Sequence, residues 1–379
     1  MREISLKATQ KQLEGIFFVL VCGALINVLF FSQTRIEHMF MLASFGIILF
    51  VALHRQLISF RDFFLVFFFC CLSIVLTITQ HGGEGLAINF LNILIAVLVF
   101  CNSQISITAF RKIHFLIAIV LSLYALTMDY NGMSLIHIQS FMGDRINRNS
   151  LGILVLANFY SWMCFFSTFK KYKVFLWMMR AAICAACAYL LNLVGCRAAI
   201  GAMAIFIVLE FVKRKPFSYR QLRWLIILVM LMNVIIVPLY IYVSQMNADA
   251  MLLGKNLFSG REYVWQSAWG FFLKSPWIGN GAEVAFAGPN KTFNASAHNT
   301  LLNIVCTLGI LPAISFVYIL GRRLVSTRNY PYNRVAQFAF LSSLVLSLFE
   351  SFYVDSHFFV FYLILLLPVY SDDRKGVFV

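Results

Sequence analysis

The stretch VFLWMMRAAICAACAYLLNLVGCRAAIGAMAIFIVLEFV (residues 174–212) contains two apolar runs that meet at Gly195 and Cys196. Comparable runs recur along the whole chain, which has 379 residues, is 61% hydrophobic and is only 12% charged. A soluble domain needs a more polar exterior than this composition offers. The sequence therefore predicts an all-α polytopic membrane protein, in which residues 1–379 form a single integral membrane domain.

We predict about twelve membrane-spanning helices, the first of them uncleaved. Their predicted bounds are 15–33, 37–53, 63–79, 86–102, 114–128, 150–169, 174–195, 198–212, 224–243, 298–320, 335–350 and 356–370. Twelve spans place both termini on one side; 21 of the 30 Lys and Arg residues fall on that side and eight on the other. Because basic loops are retained in the cytoplasm, the charges predict an N-in and C-in topology.

The formal net charge of +15 does not indicate nucleic-acid binding, because the Lys and Arg residues form short clusters between apolar runs. The cysteines lie mostly inside apolar runs, and no Cys-x-x-Cys pair is accompanied by the His partners of a zinc site. The chain also has no Asp-x-Asp motif, no glycine-rich phosphate loop with Lys and no Gly-x-Ser-x-Gly motif. We therefore expect no metal, no nucleotide and no other cofactor.

Two predicted outer loops are long enough to indicate a function, namely 129–149 and the large loop 244–297. The outer side also carries arginines, although positive charge is disfavoured there. The four that stand out are Arg145, Arg148, Arg197 and Arg261. Because the arginine fork donates parallel hydrogen bonds to phosphate, they suggest an anionic, phosphorylated, lipid-borne substrate. The alternative anion is the headgroup layer itself.

Arg197 is the most informative of these arginines. It lies in the hairpin between two apolar helices, where there is no room for a solvated loop. An arginine near membrane depth is costly, and this cost favours a functional site. The alternative is a side chain that extends to the headgroups.

Arg261 opens the segment SGREYVWQSAWGFFLKSPWIGNG (residues 259–281). Ser259 and Glu262 have the spacing of a capping box, which predicts that a helix begins here. Arg261 and Trp265 then fall on one face of a short helix that lies in the outer interface. Interfacial anchoring also explains the tryptophans of this helix, but it does not explain Arg261.

His298 and Asn299 stand at the outer end of the tenth predicted span, 298–320. A helix N-terminus disfavours protonation of a nearby imidazole, so His298 is predicted to be a neutral general base. A histidine at a membrane interface can also be purely structural. Asn299 and Asn303 are one helical turn apart and are expected to face the bundle interior. Acidic residues near the outer ends of spans, among them Glu350, have no pairing that the sequence establishes.

Several of these features form one pattern. His298 is followed by Asn, by nine further residues and then by Gly309. Residues 259–281 contain Gly-Arg-x-x-x-Trp and Pro-x-x-Gly-x-Gly, GCRAAIG places an arginine in a helix pair, and DRINRNSLG is similar to an Arg-x-x-Asn segment that opens a helix. This pattern, which covers mainly 195–320, resembles the O-antigen ligase and Wzy-type O-antigen polymerase superfamily of bacterial inner membranes.

Two residues depart from the family pattern. Pro312 stands where the family often has Gly, Thr or Tyr, and Cys196 stands in place of Ser. Neither change removes a group with an expected chemical role.

The resemblance implies transfer of a glycan from an undecaprenyl-pyrophosphate donor at the periplasmic face of the inner membrane, without metal or nucleotide. By position, Arg197 and Arg261 would bind the pyrophosphate, and His298 would activate the acceptor hydroxyl. Further substrate-binding candidates are Arg145, Arg148, Trp265 and Asn299. The expected partners are the lipid-linked glycan, membrane lipids and a protein that regulates chain length.

The identity of the acceptor separates two enzymes. A polymerase joins the glycan to a lipid-linked repeat unit, whereas a ligase joins it to the lipid A core. The Gly-Arg-Glu-Tyr-Val-Trp form and the moderate outer loop favour the polymerase, with the ligase as the alternative. A transporter or flippase of lipid-linked sugars also suits twelve helices, but the second half of the chain does not mirror the first. A membrane scaffold would give Arg197 no role.

Overall fold

The computed structural model describes residues 106–127, 129–130, 133–134, 148–246, 251–252, 255–256, 260–281, 284–288, 293–294, 296–322 and 331–351, with residues 14–15, 18–19, 21–23 and 25. The predicted spans 37–53, 63–79, 86–102 and 356–370, and most of 15–33, lie outside these residues. The count of twelve spans and the N-in, C-in topology therefore stay predictions.

The described chain is mostly helical. Its helices are α1 (Ile107–Thr127), α2 (Arg148–Ser167), α3 (Lys173–Val194), α4 (Arg197–Val212), α5 (Tyr219–Met246), α6 (Arg261–Lys274), α7 (Thr300–Thr307), α8 (Ile310–Arg322) and α9 (Pro331–Leu346). Short antiparallel hairpins pair β1 (Asp129–Tyr130) with β2 (Met133–Ser134), β3 (Met251–Leu252) with β4 (Lys255–Asn256), and β5 (Phe286–Ala287) with β6 (Phe293–Asn294). The last two hairpins and α6 fall in the predicted loop 244–297.

Within the described ranges, four helices are long and apolar enough to cross a membrane. They are α1, Asn149–Ser167 of α2, α3, and Arg220–Met246 of α5. All four overlap predicted spans. In α3 only 17% of the apolar window is buried, and Trp177 and Phe175 are exposed. An apolar surface of this kind is stable against lipid rather than water, so the chain is a membrane protein.

Helix α2 is the most enclosed of the four, with 83% of its apolar window buried. It packs against α1, α3, α4 and α9. Phe159, Tyr160 and Phe206 make ring contacts within this main core. A second, smaller cluster around Trp265 joins α6 to α5 and α7. The smaller cluster is the one that positions the candidate site.

The prediction of a single helix over 298–320 is wrong, because this segment consists of α7 and α8. At Gly309, between the two helices, φ is 89°, a left-handed value that L side chains rarely adopt. A β-carbon at this position would lie 2.2 Å from the carbonyl oxygen of Trp277. Glycine is therefore required both by the backbone conformation and by the close approach of the turn after α6.

The turn after α6 donates hydrogen bonds to the last carbonyls of α7. Backbone N–H groups of Asn280 and Gly281 donate to the carbonyls of Cys306 and Thr307 at 2.9 and 3.0 Å. The side-chain Nδ2 of Asn280 also donates to the Cys306 carbonyl at 3.0 Å. Carbonyls at a helix end need such partners when they are buried. The Pro-x-x-Gly-x-Gly turn and Gly309 thus pack against each other. This contact explains why both occur in the same sequence pattern.

An ion-pair network ties α3, α4 and α9 together. Glu210 of α4 accepts a hydrogen bond from Arg334 of α9, and its Oε1 lies 3.6 Å from Nη1 of Arg180 on α3. Glu210 is thirteen residues after Arg197, which corresponds to about 20 Å along α4. The network therefore lies at the opposite end of α4 from Arg197.

Candidate active site

One carboxylate joins two of the predicted site residues. Oε1 of Glu350 accepts a hydrogen bond from Nη2 of Arg261 at 2.5 Å, and Oε2 lies 3.3 Å from Nδ1 of His298. The Glu350 side chain is only 4% exposed, whereas those of Arg261 and His298 are 17% and 21% exposed. A nearly buried carboxylate therefore holds an arginine and a histidine that both remain accessible.

Glu350 was not among the predicted site residues. It is separated from His298 by 52 positions and from Arg261 by 89, so spacing does not link them. It follows α9, beside the loop that precedes α7. The sequence did contain one signal, because Glu350 is an acidic residue at the end of an apolar helix. A carboxylate in such a place is costly unless it has a partner.

His298 precedes α7 instead of lying in its first turn, which corrects the sequence prediction. Asn299 is the N-cap, and its side chain accepts a hydrogen bond from the Leu302 N–H at 2.9 Å. At His298 φ is 50°. Non-glycine residues in this region carry strain that the surrounding contacts must hold, and such residues cluster at functional sites.

Hydrogen bonds join the segment 299–300 to the segment 347–351, which carries Glu350. They are Asn299 N to Ser351 Oγ (3.1 Å), Asn299 Nδ2 to the Leu348 carbonyl (3.0 Å), Thr300 N to the Ser347 carbonyl (3.0 Å) and Thr300 Oγ1 to the Glu350 carbonyl (2.9 Å). Because both segments are fixed to each other, the distance between His298 and Glu350 is set by the backbone and not by flexible side chains alone.

Trp265 and Asn299 were predicted to bind substrate, but the structure places both side chains in the protein interior. Trp265 is completely buried, and its Nε1 donates to the Ala297 carbonyl at 2.8 Å. The Ala297 N–H donates in turn to Oδ1 of Asn303 at 3.0 Å. Asn299 is also completely buried, with its amide used for the cap and the Leu348 contact. Both side chains therefore support the backbone around His298.

Helix α6 begins at Arg261, one residue later than the capping-box prediction requires. Its N-cap is Gly260, with a φ of 79°, in place of Ser259, which lies outside the described residues. Glu262 falls in the first turn, where a negative charge is favourable. The first helical position thus carries the arginine that contacts Glu350.

Arg197 begins α4, immediately after the tight hairpin that the sequence predicted. Gly195 caps α3 with a φ of 70° and donates to the carbonyls of Leu191 and Asn192. Arg334 near the start of α9 contacts Glu210 near the end of α4, so the end of α9 lies at the end of α4 where Arg197 is located. Glu350, which follows α9, contacts Arg261. The two arginines therefore lie at the same end of the helices.

Arg148 and Arg145 are the remaining predicted site residues. Arg148 is the first residue of α2, and one turn later Gly152 packs against Cys196, since an added β-carbon would lie 2.4 Å from Cβ of Cys196. The start of α2 is therefore next to the hairpin that carries Arg197. The side chain of Arg148 and the whole of Arg145 lie outside the described residues.

The geometry defines what the central group can do. A carboxylate only accepts hydrogen bonds, so its contact with His298 requires a proton on Nδ1; in a neutral imidazole with this tautomer, Nε2 carries the lone pair. The other N–H groups of Arg261 can donate to an anion. Among the described residues, no three His, Cys, Asp or Glu side chains are placed to share a metal ion.

The central part of the chain is similar to a known protein family. Residues 181–317 match a family model described as O-antigen ligase. This segment runs from α3 to α8 and includes Arg197, Arg261 and His298, whereas Glu350 lies outside it. No curated protein sequence matches the chain. This segment is therefore similar to the O-antigen ligase family, and the match supports the resemblance of the chain to the superfamily of O-antigen ligases and polymerases.

Proposed function

We propose that the protein transfers a glycan from an undecaprenyl-pyrophosphate donor to the hydroxyl of a lipid-linked repeat unit, as an O-antigen polymerase of the inner membrane. The observation that carries this proposal is the contact of Glu350 with both Arg261 and His298. It brings a group that binds anions next to a group that accepts protons, and glycan transfer from a pyrophosphate needs both.

In the proposed reaction, the acceptor hydroxyl gives its proton to Nε2 of His298. The acceptor oxygen forms a bond to the anomeric carbon of the donor. The bond between that carbon and the pyrophosphate oxygen breaks, and the pyrophosphate leaves with the electron pair. Glu350 holds the imidazole in the required tautomer and stabilises the imidazolium that forms, as a carboxylate does beside a catalytic histidine elsewhere.

Positive charge stabilises the leaving group. Arg261 and Arg197 are proposed to bind the pyrophosphate, whose negative charge increases as the bond to the sugar breaks. Interactions that strengthen in the transition state lower the barrier, and fixed charges in a partly dry site act most strongly. Glu350 offsets one positive charge in the free protein, so Arg261 stays oriented before the donor arrives.

An apolar cavity supports a lipid-borne donor. The cavity has a volume of about 510 Å³ and is lined by α5, α6, α7 and α8, with Trp269, Leu302 and Ile314 among its walls. Ile314 is 59% exposed, so the cavity reaches the outer surface of the helices. Trp269 follows Arg261 by eight residues, or about 12 Å along α6. A hydrocarbon chain in this cavity would have its phosphate end within reach of Arg261.

A ligase is the second candidate, because the matched family model is described as O-antigen ligase. The ligase would use the same arginines and histidine, but its acceptor would be the lipid A core. Deletion of the gene in the source bacterium separates the two. We expect a lipopolysaccharide gel of the deletion strain to show single repeat units attached to the core.

A complementing copy of the wild-type gene restores the long chains in this experiment. Long glycan chains that accumulate on the lipid carrier, with a bare core, would instead establish the ligase and reject the polymerase. An unchanged gel would reject both enzymes.

A further inference from the structure

Tyr240 is a polar residue of the site region that none of the steps above uses. It lies in α5, and its ring packs against Trp265 with ring centroids 4.5 Å apart. Trp265 follows Arg261 by one helical turn on α6. The ring contact therefore holds Tyr240 beside the first turn of α6, where the arginine that contacts Glu350 is located.

Charged residues lie at the end of the helices where Tyr240 is located. Arg261 stands one turn before the Trp265 ring that Tyr240 contacts, and Arg197 begins α4 at the same end. Unlike Trp265, which is completely buried, Tyr240 is only partly buried. Tyr240 thus lies near the first turn of α6, at the end of the helices where both arginines are located, on a side chain that is not sealed inside the core.

A phenylalanine would pack against Trp265 as well as a tyrosine does. What tyrosine adds is a neutral O–H donor at the end of a rigid ring. A neutral donor strengthens anion binding without adding a third positive charge, which would repel the two arginines nearby. A neutral donor therefore suits a position close to Arg261.

We propose that Tyr240 is a substrate-binding catalytic residue, whose hydroxyl donates a hydrogen bond to a phosphate oxygen of the leaving pyrophosphate beside Arg261. This inference rests on the proposed glycan transfer and extends it by one residue. The bond strengthens as negative charge builds on the leaving group, so Tyr240 affects kcat more than the KM for the donor.

The variant Tyr240→Phe tests this role because it removes the hydroxyl and keeps the ring contact with Trp265. The matched control is Tyr242→Phe, which removes a hydroxyl from the same helix at a residue that is 56% exposed. Both full-length proteins are reconstituted in liposomes with the lipid-linked donor. We expect Tyr240→Phe to lower kcat about tenfold to 100-fold, as loss of a hydrogen bond to a charged group does, and Tyr242→Phe to leave kcat unchanged.

A binding measurement separates this role from a structural one. A synthetic polyprenyl pyrophosphate, the product of the transfer, serves as an inhibitor, and its inhibition constant is expected to rise in Tyr240→Phe at an unchanged melting temperature. Wild-type kcat in Tyr240→Phe, or a loss of kcat with a lower melting temperature and an unchanged inhibition constant, would overturn the role of Tyr240 alone. If the wild-type protein itself transfers no glycan, the proposed function fails and this inference fails with it.

Discussion

The variant His298→Asn is expected to transfer glycan about 10²- to 10⁴-fold more slowly than the wild-type protein, with little loss of stability. The expected loss is large because no other imidazole in the described residues contacts Glu350. Without Nε2, the acceptor hydroxyl has no positioned base. The rate is measured as glycan transferred by purified protein in liposomes at saturating donor.

Asparagine is the informative replacement because of the backbone at this residue. The φ of 50° at His298 is tolerated by asparagine better than by alanine. An asparagine amide can also donate to Glu350 and so keep the carboxylate partnered. The variant His298→Ala is expected to lose activity to the same extent but also to melt at a lower temperature. Activity of His298→Asn close to that of the wild type would show that His298 is not the base.

The variant Glu350→Gln is expected to lower the rate by about 10²- to 10⁴-fold, as the amide replacement of a histidine-bound carboxylate does in other enzymes. Glutamine has one oxygen and one NH₂ group. Arg261 attracts the oxygen, so the NH₂ group is turned toward His298. Nδ1 must then accept, which moves the proton to Nε2 and removes the lone pair that the reaction needs. We measure kcat and the melting temperature of the same preparation.

Glu210→Gln is the matched control for this variant. It also removes a carboxylate that contacts an arginine of another helix, but the pair lies at the far end of α4. We expect it to lower the melting temperature while kcat per folded molecule stays near the wild-type value. Equal losses of kcat in Glu210→Gln and Glu350→Gln would mean that both act through stability, and the assigned role of Glu350 would be rejected.

Much of the helical layout follows from the sequence, because long apolar runs can only be satisfied in lipid as helices. The hairpin at Gly195 was predicted for this reason, and α4 begins at Arg197, one residue before the predicted bound at 198. The break between α7 and α8 was not predicted, since Leu308 to Pro312 reads as a continuation of an apolar run. The break depends on backbone contacts with the turn after α6, which no local pattern reveals.

In the candidate site, too, local features were predicted from the sequence and contacts between distant residues were not. Arg197, Arg261 and His298 were predicted from their chemical type and their position at helix ends, and the structure brings Arg261 and His298 to one carboxylate. The pairing of Glu350 with two of them was missed, because sequence distance carries no information on contact across helices. The roles expected of Trp265 and Asn299 also failed to match their placement, since an amide or an indole can fix backbone as readily as it can bind a ligand.

The most direct test of the proposed chemistry is a transfer assay with the purified full-length protein in liposomes. Lipid-linked donor and lipid-linked repeat unit are both incorporated so that no flipping step is needed. The wild-type protein is expected to lengthen the glycan and release polyprenyl pyrophosphate, whereas His298→Asn releases almost none. Wild-type protein that moves the lipid-linked glycan across the bilayer but forms no new glycosidic bond would contradict glycan transfer and establish a transporter.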